Sequence, residues 1–126
     1  MKYLLKGNRL PRFYTYESIN KEMDEADVSV LGIGNNTEVA KILWDIATGE
    51  VVMVVELHGH NIVRLYENGT LRLFDCGFKT KVTKSRMNAA LMGIGKHLVV
   101  VNRQPKVYEI ATGSYESYFD GMVVSK

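Results

Sequence analysis

The fold is decided by residues 61–76, which read NIVRLYENGTLRLFDC. Two runs rich in β-branched and aromatic residues, 61–66 and 70–76, flank the tripeptide Glu67-Asn68-Gly69. An Asn-Gly pair between such runs is a strong signal for a tight hairpin turn, because both residues tolerate positive φ. The stretch therefore predicts an antiparallel β-hairpin centred on Asn68-Gly69.

Further strands are predicted on both sides of this hairpin. Residues 39–47 are ambiguous, but the alternation of their side chains favours a strand over a helix. The β-branched run 51–57 is typical of a central strand. Other predicted strands are 1–7, 28–33, 97–102, 107–110 and 115–124, with turns at 34–36, at 48–50 and around Pro105.

Two short helices complete the prediction. One runs from Thr15 to Asp27, with Thr15 or Ser18 as its N-cap, and the other runs from Thr83 to Met92, with Thr83 as its N-cap. The sequence thus predicts an α+β fold: one antiparallel, β-rich domain over residues 1–126, with one or two short helices.

Length and composition set the class of protein. The chain has 126 residues, of which 46% are hydrophobic and 24% charged, as in an ordinary globular domain. No apolar run approaches the ~18 residues of a membrane span, so no membrane partner is expected. The single cysteine, Cys76, excludes an intramolecular disulfide and fits a reducing cytoplasm, which is the expected location.

The charge is unevenly distributed along the chain. Residues 60–106 carry nine basic and two acidic side chains, whereas the segments before and after them are net acidic. A basic middle segment indicates an anionic partner. The alternative is a solvated basic surface with no ligand.

Catalytic and metal-binding patterns are weak. His58 and His60 alternate as on one strand face and form the best metal candidate, but they equally fit two histidines at a strand end. Cys76 is interpreted as a buried apolar group rather than a nucleophile. Two of the three residues Asp45, Asp75 and Asp120 could form a carboxylate pair, but only if the fold brings them together. We therefore expect no enzyme activity, no metal and no cofactor.

Binding chemistry is concentrated in residues 78–88, which read FKTKVTKSRMN. An aromatic ring, cations, hydroxyls and an amide are the groups that bind a nucleotide, and a helix start adds backbone N–H donors for phosphate. The other interpretation is a capped surface helix with Phe78 in the core.

Three motifs carry a resemblance to a known family: GNNT (34–37), LHGHNIVRLYENGTLRL (57–73) and CGFKTKVTKSRMN (76–88). Their order resembles that of the bacteriophage Thoeris anti-defence family of the first type, whose members act as sponges. The resemblance covers residues 31–110, and residues 1–30 form an N-terminal strand and helix extension outside it.

The resemblance implies a function. Sponges of this family bind and sequester cyclic ADP-ribose isomers, and some hold cyclic oligonucleotides, without cleaving them. They are homo-oligomers, dimers or dimer-based assemblies, with ligand pockets between protomers. A homo-oligomer and a small cyclic nucleotide ligand are therefore the expected partners, and a nucleic acid is not.

The resemblance also points to site residues. Phe78 is expected to stack on a purine and Asn88 to hydrogen-bond the base or its ribose, with Arg103 on the phosphates and Arg64 as a more distant match. This sequence departs from the family pattern at Phe78, where many relatives have tryptophan, and at Val82, where many have threonine.

Arg86 is a second candidate for the phosphates, and Thr83 is a candidate ligand contact. Thr83 and Asn88 are five residues apart, about 140° around a helix, so Thr83 is expected to act as the cap rather than to share the ligand with Asn88.

Two other functions remain open from the sequence. A nucleic-acid-binding protein uses the basic segment against phosphates and shows steep salt dependence. A protein inhibitor of a host enzyme forms a stable complex with that enzyme and holds no nucleotide.

Overall fold

A computed structural model describes residues 14–34, 37–45, 47, 49–75 and 80–125 of the protein. Within these residues there are two helices and nine strands. They follow one another as α1 (Tyr16–Ala26), β1 (Val30–Gly34), β2 (Thr37–Asp45), β3 (Glu50–Leu57), β4 (His60–Tyr66), β5 (Leu71–Leu73), α2 (Lys81–Met92), β6 (Lys96–Val101), β7 (Gln104–Glu109), β8 (Tyr115–Ser117) and β9 (Val123–Val124).

The strands form two antiparallel sheets. The large sheet has six strands in the order β1-β2-β3-β4-β5-β9, and the small sheet has three in the order β6-β7-β8. The predicted α+β class is confirmed. The strand predicted over residues 1–7 and the turn residues 35, 36 and 48 lie outside the described residues.

A row of apolar side chains crosses the large sheet. Leu31, Val39, Val55, Val63 and Leu73 lie opposite one another on β1 to β5, and each is 0% exposed. Residues that pair across strands point to the same face. A second buried row on the same face consists of Met53, Leu65, Leu71 and Val124. These two rows form the floor of the core.

Both helices cover that floor. The helix α1 contributes Ile19 and Met23, and α2 contributes Met87 and Leu91, all within the same buried cluster. The helix α2 contacts β4 and β5 of the large sheet and also β6 of the small sheet. The position of the small sheet is therefore set largely by α2.

The predicted hairpin is confirmed, although its second strand is shorter than expected. The strands β4 and β5 pair, and Gly69 adopts φ 91° in the turn between them. The strand β5 ends at Leu73. The Phe74 N–H still donates to the Ile62 carbonyl at 2.8 Å, and the next N–H, that of Asp75, donates to the Asp120 carboxylate. The strand interpretation of 39–47 and the central position of 51–57 are likewise confirmed, by β2 and β3.

Three local predictions are wrong. Pro105 lies within β7, opposite Val100, and not in a turn. Its carbonyl oxygen accepts the backbone N–H of Tyr118 at 3.1 Å. The single strand predicted over 115–124 is two short strands in different sheets, since Gly121 (φ 86°) lies in a turn between them.

The third error is the cap of α2. The cap is Thr80, whose Oγ1 accepts the backbone N–H of Thr83 at 3.2 Å, so the helix begins two residues earlier than predicted. Thr83 occupies the first turn, with its side chain 2% exposed. In α1, by contrast, Thr15 is the cap, and a reciprocal bond from its N–H to the Ser18 hydroxyl completes a capping box.

Tyr14 connects the chain before α1 to α2. Its hydroxyl donates to the Arg86 carbonyl at 3.2 Å, its backbone N–H donates to the Ala89 carbonyl at 2.9 Å, and its ring is buried. Burial raises the pKa of Tyr14 well above its usual value of about 10, against a weaker opposing effect of the Arg86 charge.

This burial predicts a loss of stability in alkali. Below pH ~10 the phenol is protonated in both states, and above it the unfolded chain loses the proton first. The free energy of unfolding therefore falls as pH rises, by up to about 1.4 kcal/mol per pH unit for this group. Urea unfolding between pH 8 and pH 11.5 measures the slope. Tyr14→Phe is expected to make the slope shallower, and equal slopes in the two proteins would contradict the assignment.

Candidate ligand-binding site

A cleft lies between α2 and the small sheet. Its volume is about 650 Å³, within the usual range for sites that bind small molecules. Most of its wall is apolar, with Met87 on the helix side and Leu98, Val100 and Pro105 on the sheet side. The polar and charged residues that line it are Asp75, Thr83, Lys84, Asn88, Arg103 and Tyr118.

The cleft brings three of the predicted site residues together: Asn88, Arg103 and Thr83. Thr83 and Asn88 both line the cleft although they are about 140° apart around α2. The cleft therefore contacts a wide part of the helix surface. Lys84 lies one helical turn before Asn88 and adds a positive charge.

Asn88 has a structural role in addition to its place in the cleft. Its side-chain oxygen accepts the backbone N–H of Leu98 at 2.7 Å and so ties α2 to β6. This bond identifies the oxygen and the nitrogen of the amide, because a backbone N–H requires an acceptor. The amide nitrogen supplies two hydrogen-bond donors. Asn88 thus combines a fixed orientation with donor chemistry at the wall of the cleft.

Arg103 lies at a backbone position that favours glycine. It is the second residue of the two-residue turn Asn102-Arg103, between Val101 and Gln104, and the φ values of the pair are 52° and 65°. Positive φ at both positions defines the hairpin turn in which Asn-Gly is the preferred pair. The turn geometry favours glycine and does not explain why position 103 holds an arginine. The position of Arg103 at the edge of the cleft gives a reason for this residue.

Asp75 and Tyr118 also line the cleft, and no local sequence pattern indicates either of them. The Tyr118 hydroxyl donates to Oδ2 of Asp75 at 2.8 Å, and the Asp75 carboxylate is 6% exposed. These residues are 43 positions apart in sequence, so no local pattern brings them together. A carboxylate pair among Asp45, Asp75 and Asp120 is one possibility that the sequence leaves open. The bond that the structure shows runs from the backbone N–H of Asp75 to the Asp120 carboxylate, at 2.9 Å. The side chain of Asp45 lies outside the described residues.

Two predicted arginines lie away from the cleft. Arg86 is buried, and its Nε donates to the Thr37 hydroxyl at 3.0 Å, which ties α2 to β2. Arg64 alternates with the buried residues of β4 and therefore points to the other face of the large sheet. Its guanidinium carbon lies 4.7 Å from the centre of the Phe74 ring. Phe78 and Cys76 lie outside the described residues.

The two histidines line a second cavity of about 380 Å³. His58 is in the tight turn that precedes β4, with φ 51°, and His60 is the first residue of that strand. The rest of the wall consists of Leu57, Ile62, Asp75, Thr80, Val82 and Thr83. Among the residues that the structure describes, no group of three or more His, Cys, Asp or Glu side chains is arranged to hold a metal ion.

Comparison with known proteins identifies a phage family. Residues 18–125 match the family described as Kyanoviridae Gp96 protein. The chain belongs to this family. The Kyanoviridae Gp96 match covers α1 from residue 18 onwards, α2 and all nine described strands, including the cleft, and makes the chain a phage protein. A search of curated proteins and a search of solved structures give no significant match. Neither described helix is long and apolar enough to span a membrane.

The backbone of Arg103 predicts an unusual stability effect. Arg103→Gly is expected to raise the free energy of unfolding by roughly 0.5–1 kcal/mol, because glycine adopts positive φ without a clash at Cβ. Urea unfolding measures the change. Arg103→Ala is the matched control, since it removes the same side chain, retains the clash and is not expected to stabilise. A less stable Arg103→Gly protein would show that the side chain supports the fold.

Proposed function

We propose that this phage protein binds a cyclic nucleotide immune signal in the cleft and sequesters it uncleaved in the cytoplasm of the infected bacterium. The expected ligand is a cyclic ADP-ribose isomer of the kind that Thoeris defence produces, and cyclic oligonucleotides are related candidates. Sequestration keeps the defence effector inactive. The observation that supports this most is the convergence of Asn88, Arg103 and Lys84 on one apolar cleft.

The chemistry of the cleft suits the parts of a nucleotide. The side chains of Met87, Leu98 and Pro105 offer an apolar surface for the face of a base. Lys84 and Arg103 supply the positive charges that phosphates require. The amide of Asn88 supplies donors that base edges and ribose oxygens accept.

A second copy of the chain is part of the proposal. Val100 lines the cleft and is 64% exposed, and Arg103, three residues later, is exposed as well. Covering this exposed apolar wall with a second chain is favourable, because it removes apolar surface from water. We therefore expect a homodimer or a dimer-based assembly in which the partner closes the cleft.

The direct test is capture and release of the ligand. The purified protein is incubated with cyclic ADP-ribose isomers, NAD, ADP-ribose and cyclic oligonucleotides, washed, and then heated to release what it retains. Mass spectrometry is expected to identify one cyclic nucleotide, intact and in stoichiometric amount. Release of a cleaved product would indicate an enzyme. Retention of nothing from the panel would contradict the proposal, and a nucleotide-free complex with a host protein would support an inhibitor instead.

A second candidate function is supported by a row of rings on the small sheet. His97, Tyr108 and Tyr115 pair across the three strands, with ring centres 5.3 Å and 5.1 Å apart. Lys106 is on the same sheet face and its ammonium group donates to the Ser117 hydroxyl. Tyr115 is exposed, whereas His97 and Tyr108 are half-buried. Aromatic rings beside a cation are the elements of a surface that stacks bases of a single strand.

Salt dependence separates this candidate from the sponge. If the ring surface binds a nucleic acid, the affinity for a fluorescent single-stranded oligonucleotide falls steeply between 50 mM and 200 mM salt, and Tyr108→Ala weakens it. If the sponge proposal is correct, the oligonucleotide does not bind measurably at 200 mM salt, whereas the cyclic nucleotide does.

The two roles of Asn88 can be separated by substitution. Asn88→Asp keeps an oxygen for the Leu98 N–H and removes the two amide donors, so the melting temperature is expected to remain near that of the parent. Affinity for the retained cyclic nucleotide is expected to fall roughly 5- to 150-fold. Asn88→Ala is the control for the structural role and is expected to destabilise the protein by about 1–3 kcal/mol. Full affinity in Asn88→Asp would remove Asn88 from the site.

Arg103→Gly is expected to have opposite effects on stability and binding. The gain in stability is accompanied by a loss of affinity of roughly 10- to 150-fold, because a charge-assisted bond to phosphate is lost. Isothermal titration with the cyclic nucleotide measures the loss, and Arg103→Ala is expected to show a similar one. Unchanged affinity in both variants would place the phosphates elsewhere.

Phe78→Ala tests the predicted stacking interaction. Removal of the ring is expected to lower affinity roughly 5- to 150-fold, since stacking on a base contributes about 1–3 kcal/mol. If Phe78 is instead a core residue, the variant loses about 3–5 kcal/mol of stability. Thermal melts alongside ligand titrations distinguish these outcomes, and a folded variant with full affinity would end the stacking hypothesis.

A further inference from the structure

The free edge of the small sheet faces the cleft. In an antiparallel pair, every second residue of an edge strand turns its backbone N–H and C=O away from the neighbouring strand. The bond from the Leu98 N–H to Asn88 of α2 shows which residues of β6 do so. Val100 is two residues further along the same strand, so its N–H and C=O also point away from β7, towards the side on which α2 lies.

Pro105 supports this assignment. It lies opposite Val100 in the register of β6 and β7, and a proline has no backbone N–H to donate to Val100. Its carbonyl accepts the N–H of Tyr118, so the backbone of Pro105 faces away from β6 as well. Val100 and Pro105 therefore form a pair without hydrogen bonds between them, as the alternation along an antiparallel ladder requires.

The backbone of β6 is part of the cleft wall. Leu98, Val99 and Val100 all line the cleft, although the Val99 side chain alternates with the other two and points to the opposite face of the sheet. Among the described residues, none forms a hydrogen bond with the outward N–H or C=O of Val100. A backbone donor and a backbone acceptor thus lie side by side at an apolar wall, and both require a partner when a ligand displaces water from them.

We propose that the backbone N–H and C=O of Val100 recognise the hydrogen-bonding edge of the ligand's base. This inference rests on the proposed function, because it names the part of the nucleotide that this strand edge binds. Adenine carries a ring-nitrogen acceptor next to an exocyclic amino donor. It therefore accepts from the Val100 N–H and donates to the Val100 C=O at the same time.

A base edge fits this place better than a strand of another protein does. Strand pairing requires successive outward residues of β6, but the Leu98 N–H is already bonded to Asn88. On the other side of Val100 the strand ends at Val101, and Asn102 enters the turn with φ 52°. Only the edge at Val100 remains open between them, which suits one planar base and is too short for a ladder.

Amide hydrogen exchange, followed residue by residue by NMR, tests the contact in the parent protein. In the free protein the Val100 amide is expected to exchange fast, whereas Val99 and Val101, whose N–H groups face β7, exchange slowly. Cyclic ADP-ribose isomers and cyclic oligonucleotides are then added one at a time. A nucleotide that binds is expected to slow exchange at Val100 by at least about tenfold and to leave Val99 and Val101 unchanged.

Val100→Pro removes the donor itself. Proline is accepted on an edge strand where the missing N–H faces outwards, so the variant is expected to fold. Val100→Ala is the matched control, because it removes most of the same side chain and keeps the N–H. Isothermal titration with each adenine nucleotide that the parent binds is expected to show affinity roughly 5- to 150-fold lower for Val100→Pro than for Val100→Ala.

The ligand side of the contact is tested with analogues in which hydrogen replaces the amino group of adenine. They leave the Val100 C=O without a donor and are expected to bind the parent roughly 5- to 150-fold more weakly. If Val100→Pro does not fold, the exchange measurement on the parent decides. Unchanged exchange at Val100 in a nucleotide complex, or equal affinities of the two variants, would overturn this inference alone. Failure of the parent to bind any cyclic nucleotide would overturn the proposed function instead.

Discussion

The alignment of Leu31, Val39, Val55, Val63 and Leu73 across five strands is the constraint on which the structure depends. Each strand contributes one fully buried residue to this row, so every pair of neighbouring strands is fixed in register. A shift of one residue in any strand turns its buried residues to the opposite face. The tight turns at His58-Gly59 and Asn68-Gly69 fit the register of β3, β4 and β5, so local and long-range preferences agree there.

The cleft between α2 and the small sheet follows from how the two sheets are connected. The helix α2 packs on the large sheet through Met87 and Leu91, and it holds the small sheet through the bond from the Leu98 N–H to Asn88. The small sheet is thus attached along one edge of the helix, and space remains between its outer part and α2. Asn88 therefore holds the small sheet in place and also lines the cleft between that sheet and α2.

Much of the fold could be predicted because its signals are local. The Asn68-Gly69 turn, the alternation in residues 39–47 and the β-branched run 51–57 each report on neighbours in sequence. The remaining features depend on distant contacts or on competing local signals. Pro105 lies in a strand, where it pairs with Val100 and its carbonyl oxygen accepts the backbone N–H of the distant Tyr118. The cap of α2 was misplaced because two threonines, Thr80 and Thr83, stand three residues apart and both fit the pattern. Asn88 and Arg103, which the sequence singles out, line the cleft, whereas Asp75 and Tyr118 are 43 residues apart and meet only in the folded chain.

The strand β9 has a consequence for how the protein reaches its folded state. It completes the large sheet beside β5, yet α2 and the whole small sheet lie between them in sequence. Closing such a long loop is slow compared with forming hairpins. Tyr118 lies in the same returning segment and holds Asp75. We therefore expect the pairing of β9, which completes the large sheet, to form late in folding and to complete the wall of the cleft at the same time.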